Sequence, residues 1–252
     1  MTGQTDTLRW IDCSARIGRW SNPQPEQFTA ISGLKAAWDR AGIEGGVVHH
    51  SWAWEWSPQR GNARLLEEID GEGRVRPCLV ALPAATREME PVLEFARRVR
   101  SLRGAVRIFP GKHAWSLSDW CAGALFDALA LERVPLLVDI GETNWEGIAS
   151  VLDAHPRLPL LVLNTFYRVD RVVYPLMERH ENLHIEANTY GAFFGIEGIC
   201  ERFGANRLVF GTNLPEFETG GPMALVAYAE IGEEDKRKIA SGNLMRLLGE
   251  EA

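Results

Sequence analysis

The chain has 252 residues, 46% hydrophobic and 24% charged, with a formal net charge of −7. This acidic balance excludes the broad basic footprint that nucleic acid or an anionic membrane requires, while leaving room for a local pocket for a small anion. No apolar run nears the roughly 20 residues that span a bilayer, and MTGQTDTLRW holds no signal-like apolar core, so a soluble, cytoplasmic protein is expected.

Strand-like runs alternate with helical patterns from end to end. The strands are predicted at 8–16, 44–50, 75–82, 104–110, 134–141, 158–164, 183–188 and 207–213. Helices are predicted at 26–41, 62–70, 86–101, 117–132, 144–154, 170–179, 193–203 and 221–230, with an extra helix at 233–248. LPLLVLN is nearly continuous apolar sequence, as expected of a parallel strand buried on both faces. Ser118 stands where an N-cap belongs, and Gly104 and Gly204 stand where a helix end favours a left-handed residue. Cys13, Cys78, Cys121 and Cys200 have no C-x-x-C spacing and read as reduced packing residues. Eight β/α units without a long linker predict one α/β domain over 1–252, a (β/α)8 barrel of TIM type, for which about 250 residues is the usual length.

In such barrels the chemistry comes from the C-terminal ends of the strands and the loops after them. The strand-end groups are Asp12, Ser14 and Arg16; His49 or His50; Arg107; Asp139; Asn164; Glu186 or Asn188; and Asn213. Alternation puts Cys13 on the face opposite Ser14. HSWAWEWSP, read as an extended loop, projects Trp52, Trp54 and Trp56 to one side, either roofing a pocket or forming a rim or subunit contact. Tyr167, Arg168 and Tyr190 are further loop candidates, and the glycine turns lack phosphate-loop or dinucleotide spacing.

Three stretches resemble the amidohydrolase superfamily, in its amidohydrolase-related branch of hydrolases, lactonases and decarboxylases. IDCSARIG is similar to that family's opening D-x-H-x-H-x-G, RFGANRLVFGTNLP to its F-G-[ST]-D-x-P, and KIASGNLMRLLG to its closing helix. The resemblance implies a metal site at positions matching Ser14, Arg16, Asp139, Asn164 and Asn213, and all five depart from the family's histidine and aspartate pattern. Serine and asparagine are feeble ligands for a divalent first-row metal, and an arginine puts a fixed positive charge in the cation's place. A lost metal site and no cofactor are therefore expected. A relocated site would need His49 or His50 with Asp139 and Glu186.

The remaining ring suggests an Arg16–Asp139 ion pair, either filling the volume of the metal or opening to hold a small anionic, carboxylate-bearing ligand. In a metal-free hydrolase or decarboxylase, Asp139 is the base, and Arg16 and Asn213 stabilise an oxyanion. Ser14, Arg107, Asn164, His50, Trp54 and Glu186 are then the ligand contacts. The competing reading is a non-catalytic barrel, a structural subunit or partner of an active paralogue. A homo-oligomer is compatible with both.

Overall fold

Short apolar runs bounded by turn residues become parallel strands, and the amphipathic runs between them become helices. The computed structural model describes residues 8–250; the leading segment 1–7 and residues 251–252 lie outside the described residues. The strands are β1 (Trp10–Ile17), β2 (Ile43–His50), β3 (Val75–Val80), β4 (Ala105–Ile108), β5 (Leu136–Asp139), β6 (Leu160–Leu163), β7 (Leu183–Glu186) and β8 (Leu208–Val209). They pair in chain order, all parallel. Cys13 N donates to Phe210 O (3.2 Å) and Arg16 N to Leu214 O (2.9 Å), which joins β1 to the chain after β8. The result is a (β/α)8 barrel.

The helices are α1 (Ile31–Ala41), α2 (Ser51–Glu55), α3 (Pro58–Glu68), α4 (Val92–Ser101), α5 (Asp119–Glu132), α6 (Trp145–Ala154), α7 (Asp170–Arg179), α8 (Gly195–Phe203), α9 (Gly220–Ala227), α10 (Glu233–Arg237) and α11 (Asn243–Leu248). Among the described residues no helix is long and apolar enough to cross a membrane. The main core lies between strands and helices, with Trp38, Phe95, Phe126 and Leu129 fully buried in it. A second cluster fills the barrel interior: Ile11, Cys13, Val47, Cys78, Leu137 and Leu161 pack onto Leu244, Leu247 and Leu248 of α11. The closing helix thus plugs the N-terminal end and leaves the opposite mouth to polar groups.

Several sequence expectations need correction. HSWAWEWSP is helical, not extended: the imidazole of His50 caps α2 by accepting from Trp52 N (3.1 Å), and Ser57 caps α3 with Pro58 at its first position. Residues 51–68 are therefore two helices in place of the single one predicted at 62–70. Trp52 and Trp56, four apart, stack at 5.6 Å on one face, while Trp54 turns the other way. The predicted final helix at 233–248 is interrupted by a π-helical turn at Lys238–Gly242. Ser118 occupies the N-cap of α5, but its side chain makes no capping bond. Arg103, not Gly104, takes the left-handed conformation after α4. Gly104 is needed for space, since a Cβ there would come within 2.6 Å of Pro77 O.

Candidate functional site

Strand alternation places the mouth residues, with one irregularity. The pairing of β1 with β2 shifts between Asp12 and Ala15, which breaks the alternation and turns both Cys13 and Ser14 inward. Cys13 accordingly lies inside the barrel, its thiol 3.7 Å from Glu186 Oε1, and not on the outer face. Its burial beside the Glu186 carboxyl pushes the thiol pKa well up. Asp12 points outward and is wholly buried. It accepts from Ser14 N (3.0 Å), Thr212 N (2.9 Å), Thr212 Oγ1 (2.5 Å) and Trp38 Nε1 (3.2 Å), tying β1 to the segment after β8. Burial raises its pKa against those four bonds.

The mouth is a continuous hydrogen-bonded chain. Asp139 accepts from Gly141 N (2.8 Å) through one oxygen and from the Asn164 amide through the other. Asn164 N donates to Glu186 Oε2 (3.2 Å), and Ser14 Oγ donates to Glu186 Oε1. Ser14 Oγ in turn accepts from Asn213 N (2.8 Å), and Asn213 Nδ2 donates to Glu216 Oε2 (2.9 Å). The other Glu216 oxygen takes the Arg16 guanidinium. Asn164 and Asn213 both hold left-handed backbone (φ 53° and 51°), a conformation asparagine tolerates better than most residues. Gly211 makes room below: a Cβ there would lie 2.1 Å from Glu186 Oε1 and 2.7 Å from Ser14 Oγ. Burial pushes the Glu186 carboxyl up to about 7, against the bonds from Ser14 and Asn164.

Arg16 does not pair with Asp139. Its guanidinium lies over the Trp20 ring (4.1 Å to the centroid) and the Trp54 ring (4.8 Å), with Glu216 as counter-charge. Burial, and then the neighbouring Arg107, lower its pKa while Glu216 opposes them. Trp54 is thus the mouth-facing member of its tryptophan trio, and Lys112 covers it as well, at 5.1 Å.

Arg107 is the exception to the pairing. It is buried, yet among the described residues no carboxylate lies within 4 Å of its guanidinium, and its Nε has no partner. Among the described residues its one hydrogen-bonding neighbour is His49 Nδ1, at 3.4 Å. The guanidinium also lies over the Phe109 ring, 5.0 Å from its centroid, and acts on the Glu186 carboxyl only from beyond ion-pair distance. His49 Nδ1 is also 3.2 Å from Ala15 O. Burial and the two guanidiniums keep His49 neutral, its pKa well below the usual range. A neutral ring cannot both donate to Ala15 O and accept from Arg107 through one nitrogen, so we assign the proton to Nδ1 on the shorter contact. His49 Nε2 is then a buried lone pair without a donor, and Arg16 Nε and Asn164 Oδ1 are also unpartnered.

His49, not His50, is therefore the histidine of the mouth. His50 points away to Glu68 (3.7 Å), and its pKa falls to about 4 through burial and Arg64. Sequence reasoning also missed Glu216 and Trp20, which lie in loops without secondary-structure periodicity; the glycine of FGTN was the one local sign of the crowded Glu186 pocket. His184 is deep in β7, bonded to Asn206 O (3.0 Å), with its pKa lowered to about 3 by burial. Among the described residues, no group of three or more His, Cys, Asp or Glu side chains is gathered to hold a metal ion. The donors of Ser14, Arg16, Asp139, Asn164 and Asn213 do not fit one: only Asp139 is a ligand of ordinary strength, and Arg16 brings a positive charge.

No protein-family model matches the chain, and no curated protein matches it in sequence. Solved structures share its fold. An uncharacterised TIM-barrel protein from Bordetella bronchiseptica superposes with a TM-score of 0.73 at 19% identity, over 96% of this chain and 99% of that one. A 5-carboxyvanillate decarboxylase from Sphingomonas paucimobilis gives 0.74 at 12% identity over the same shares. A 2,6-dihydroxybenzoate decarboxylase from Rhizobium gives 0.69 at 16% identity, also over 96% and 99%.

Proposed function

We propose that the barrel binds a small carboxylate at its C-terminal mouth and that its chemistry there is metal-independent. The observation that carries this reading is Arg107, a buried guanidinium lacking an anionic partner, beside Arg16 and the unpartnered His49 Nε2. Leaving a charge buried and unpaired costs several kcal/mol, roughly 3–5 by analogy with broken buried pairs. A ligand carboxylate would remove that cost by taking charge-assisted bonds from the arginine. The fold neighbours that act on carboxylated aromatics, the 5-carboxyvanillate and 2,6-dihydroxybenzoate decarboxylases, support the same ligand class by analogy of fold. In a metal-free hydrolysis or decarboxylation Asp139, held by Asn164 and Gly141, moves the proton, while Arg16 and Asn213 hold the developing charge.

A second reading, a barrel that binds without turnover and serves as partner to an active paralogue, is favoured by the covered mouth. Arg16 lies against Trp20 and Trp54, and Glu216 already takes its charge.

Thermal-shift titration with benzoate and 2,6-dihydroxybenzoate, against neutral benzamide, tests the binding. Carboxylates should raise Tm in the wild type and not in Arg107→Ala; an equal response to benzamide overturns the reading. Mass spectrometry of the incubated carboxylates then separates turnover from binding alone.

A further inference from the structure

Seven of the twelve exposed large apolar side chains among the described residues gather on one face, around the loops after β6, β7 and β8. Phe193 (92% exposed) and Tyr228 (87%) stand out from it, and the Phe193 and Phe194 rings meet at 4.5 Å. Between them runs a groove of about 790 Å³ whose walls include Tyr190, Phe194, Phe217 and Leu225. A small ligand in the groove would leave the outer faces of Phe193 and Tyr228 in water. At about 200 Å² per fully exposed aromatic, the apolar surface of this face is roughly 800 Å², the share each partner contributes to a standard interface.

The charges around the face are divided by sign. Phe193 also borders a second hollow, lined by Arg168, Arg171 and Asp170. The Asp170 carboxylate is taken by the Tyr190 hydroxyl, and among the described residues no carboxylate lies within 4 Å of either guanidinium, so the hollow is basic on balance. The groove on its other side carries Glu197 and Glu218 and no basic residue. Phe166, Arg168 and Phe194 hold left-handed backbone (φ 59°, 66° and 50°), which non-glycine residues keep where surrounding contacts enforce it.

We infer that this face is a two-fold interface with a second copy of the chain, the Phe193 knob of each copy entering the groove of the other. A two-fold axis near Phe193 sets the Arg168/Arg171 side of one copy against the Glu218 side of the other, as an isologous contact requires. The occupant is thus a second copy and not an acidic or basic partner, either of which would meet like charge on half of the face.

Sedimentation velocity on the full chain tests this. The wild type should sediment as a dimer at about 10 µM, and Phe193→Asp should weaken dimerisation at least tenfold with an unchanged circular dichroism spectrum. The double variant Arg168→Glu/Arg171→Glu, acidic on both sides, and Glu218→Lys, enriched in base, should each self-associate more weakly. Mixed one to one, they should form a heterodimer. A monomeric wild type, or a dimer that persists through Phe193→Asp and both charge changes, overturns the inference.

Discussion

The Arg16 guanidinium is held by Glu216, a loop carboxylate with a side chain 39% exposed, and not by the strand-end Asp139. Glu216 takes one bond from Arg16 and one from the Asn213 amide, the arrangement a bidentate ligand carboxylate would adopt. The loop therefore seats an internal carboxylate where an external one would bind.

Glu216→Gln weakens that internal occupant while keeping its shape. Carboxylate affinity should rise roughly tenfold, the worth of about one charge-assisted bond, with a stability loss of about 1–3 kcal/mol, because the buried Arg16 loses its counter-charge while keeping a neutral acceptor. Isothermal titration with benzoate reads it; unchanged affinity would show that the ligand does not compete with Glu216.

Arg107→Met should separate stability from binding. Replacing an unpaired buried guanidinium by an apolar side chain of similar length removes a desolvation cost, so the ligand-free Tm should rise by about 3–6 °C, roughly 1–2 kcal/mol for a chain of this size. The carboxylate-induced shift should vanish. Arg16→Met should instead lower Tm, since Arg16 has a counter-ion and covers two indole faces. A ligand-free Arg107→Met that melts lower than wild type would mean that Arg107 has a structural partner.

Metal analysis bears on the chemistry directly. Protein purified without chelator should carry less than about 0.1 equivalent of zinc or manganese, and neither ion should shift Tm, because structural and catalytic sites need roughly three or more protein ligands. Near-stoichiometric metal that survives gel filtration would sink the metal-free reading.

The barrel was legible because its signal is redundant: eight apolar runs, eight amphipathic runs and turn residues between them all point one way. Most of the mouth was legible for the same reason, since alternation predicts which side of a strand Arg107, Asp139 and Glu186 occupy. The partners were not. One irregularity in β1 turned Cys13 inward, a cap bond to Trp52 N turned His50 outward, and a single turn of helix split the tryptophans between two faces. Glu216 reaches Arg16 across 200 positions of sequence, and no local pattern encodes such a pairing.

Glu186 supplies a pH test with a definite sign. Its carboxyl is pushed up to about 7 in the folded protein, from an ordinary value near 4.5. Between those values the folded state holds the proton more tightly than the unfolded one, so this group's contribution to stability is full below about pH 4.5. It is lost as pH rises to about 7, a change of about 3 kcal/mol at roughly 1.4 kcal/mol per unit. The buried histidines act oppositely: His50 and His184, lowered to about 4 and about 3, favour the folded state more as pH rises towards 6.5. The wild-type curve alone therefore mixes both signs, and the informative quantity is the difference from Glu186→Gln. That amide does not titrate; with its oxygen accepting from Asn164 N, its NH2 group can donate to Ser14 Oγ, which accepts in place of donating. Relative to wild type, Glu186→Gln should gain stability steadily from pH 5 to pH 7.5 and level off above it, as read by urea midpoints at half-unit steps. A difference that stays flat across this range would mean that Glu186 keeps an ordinary carboxylate pKa, with Arg107 close enough to hold it ionised.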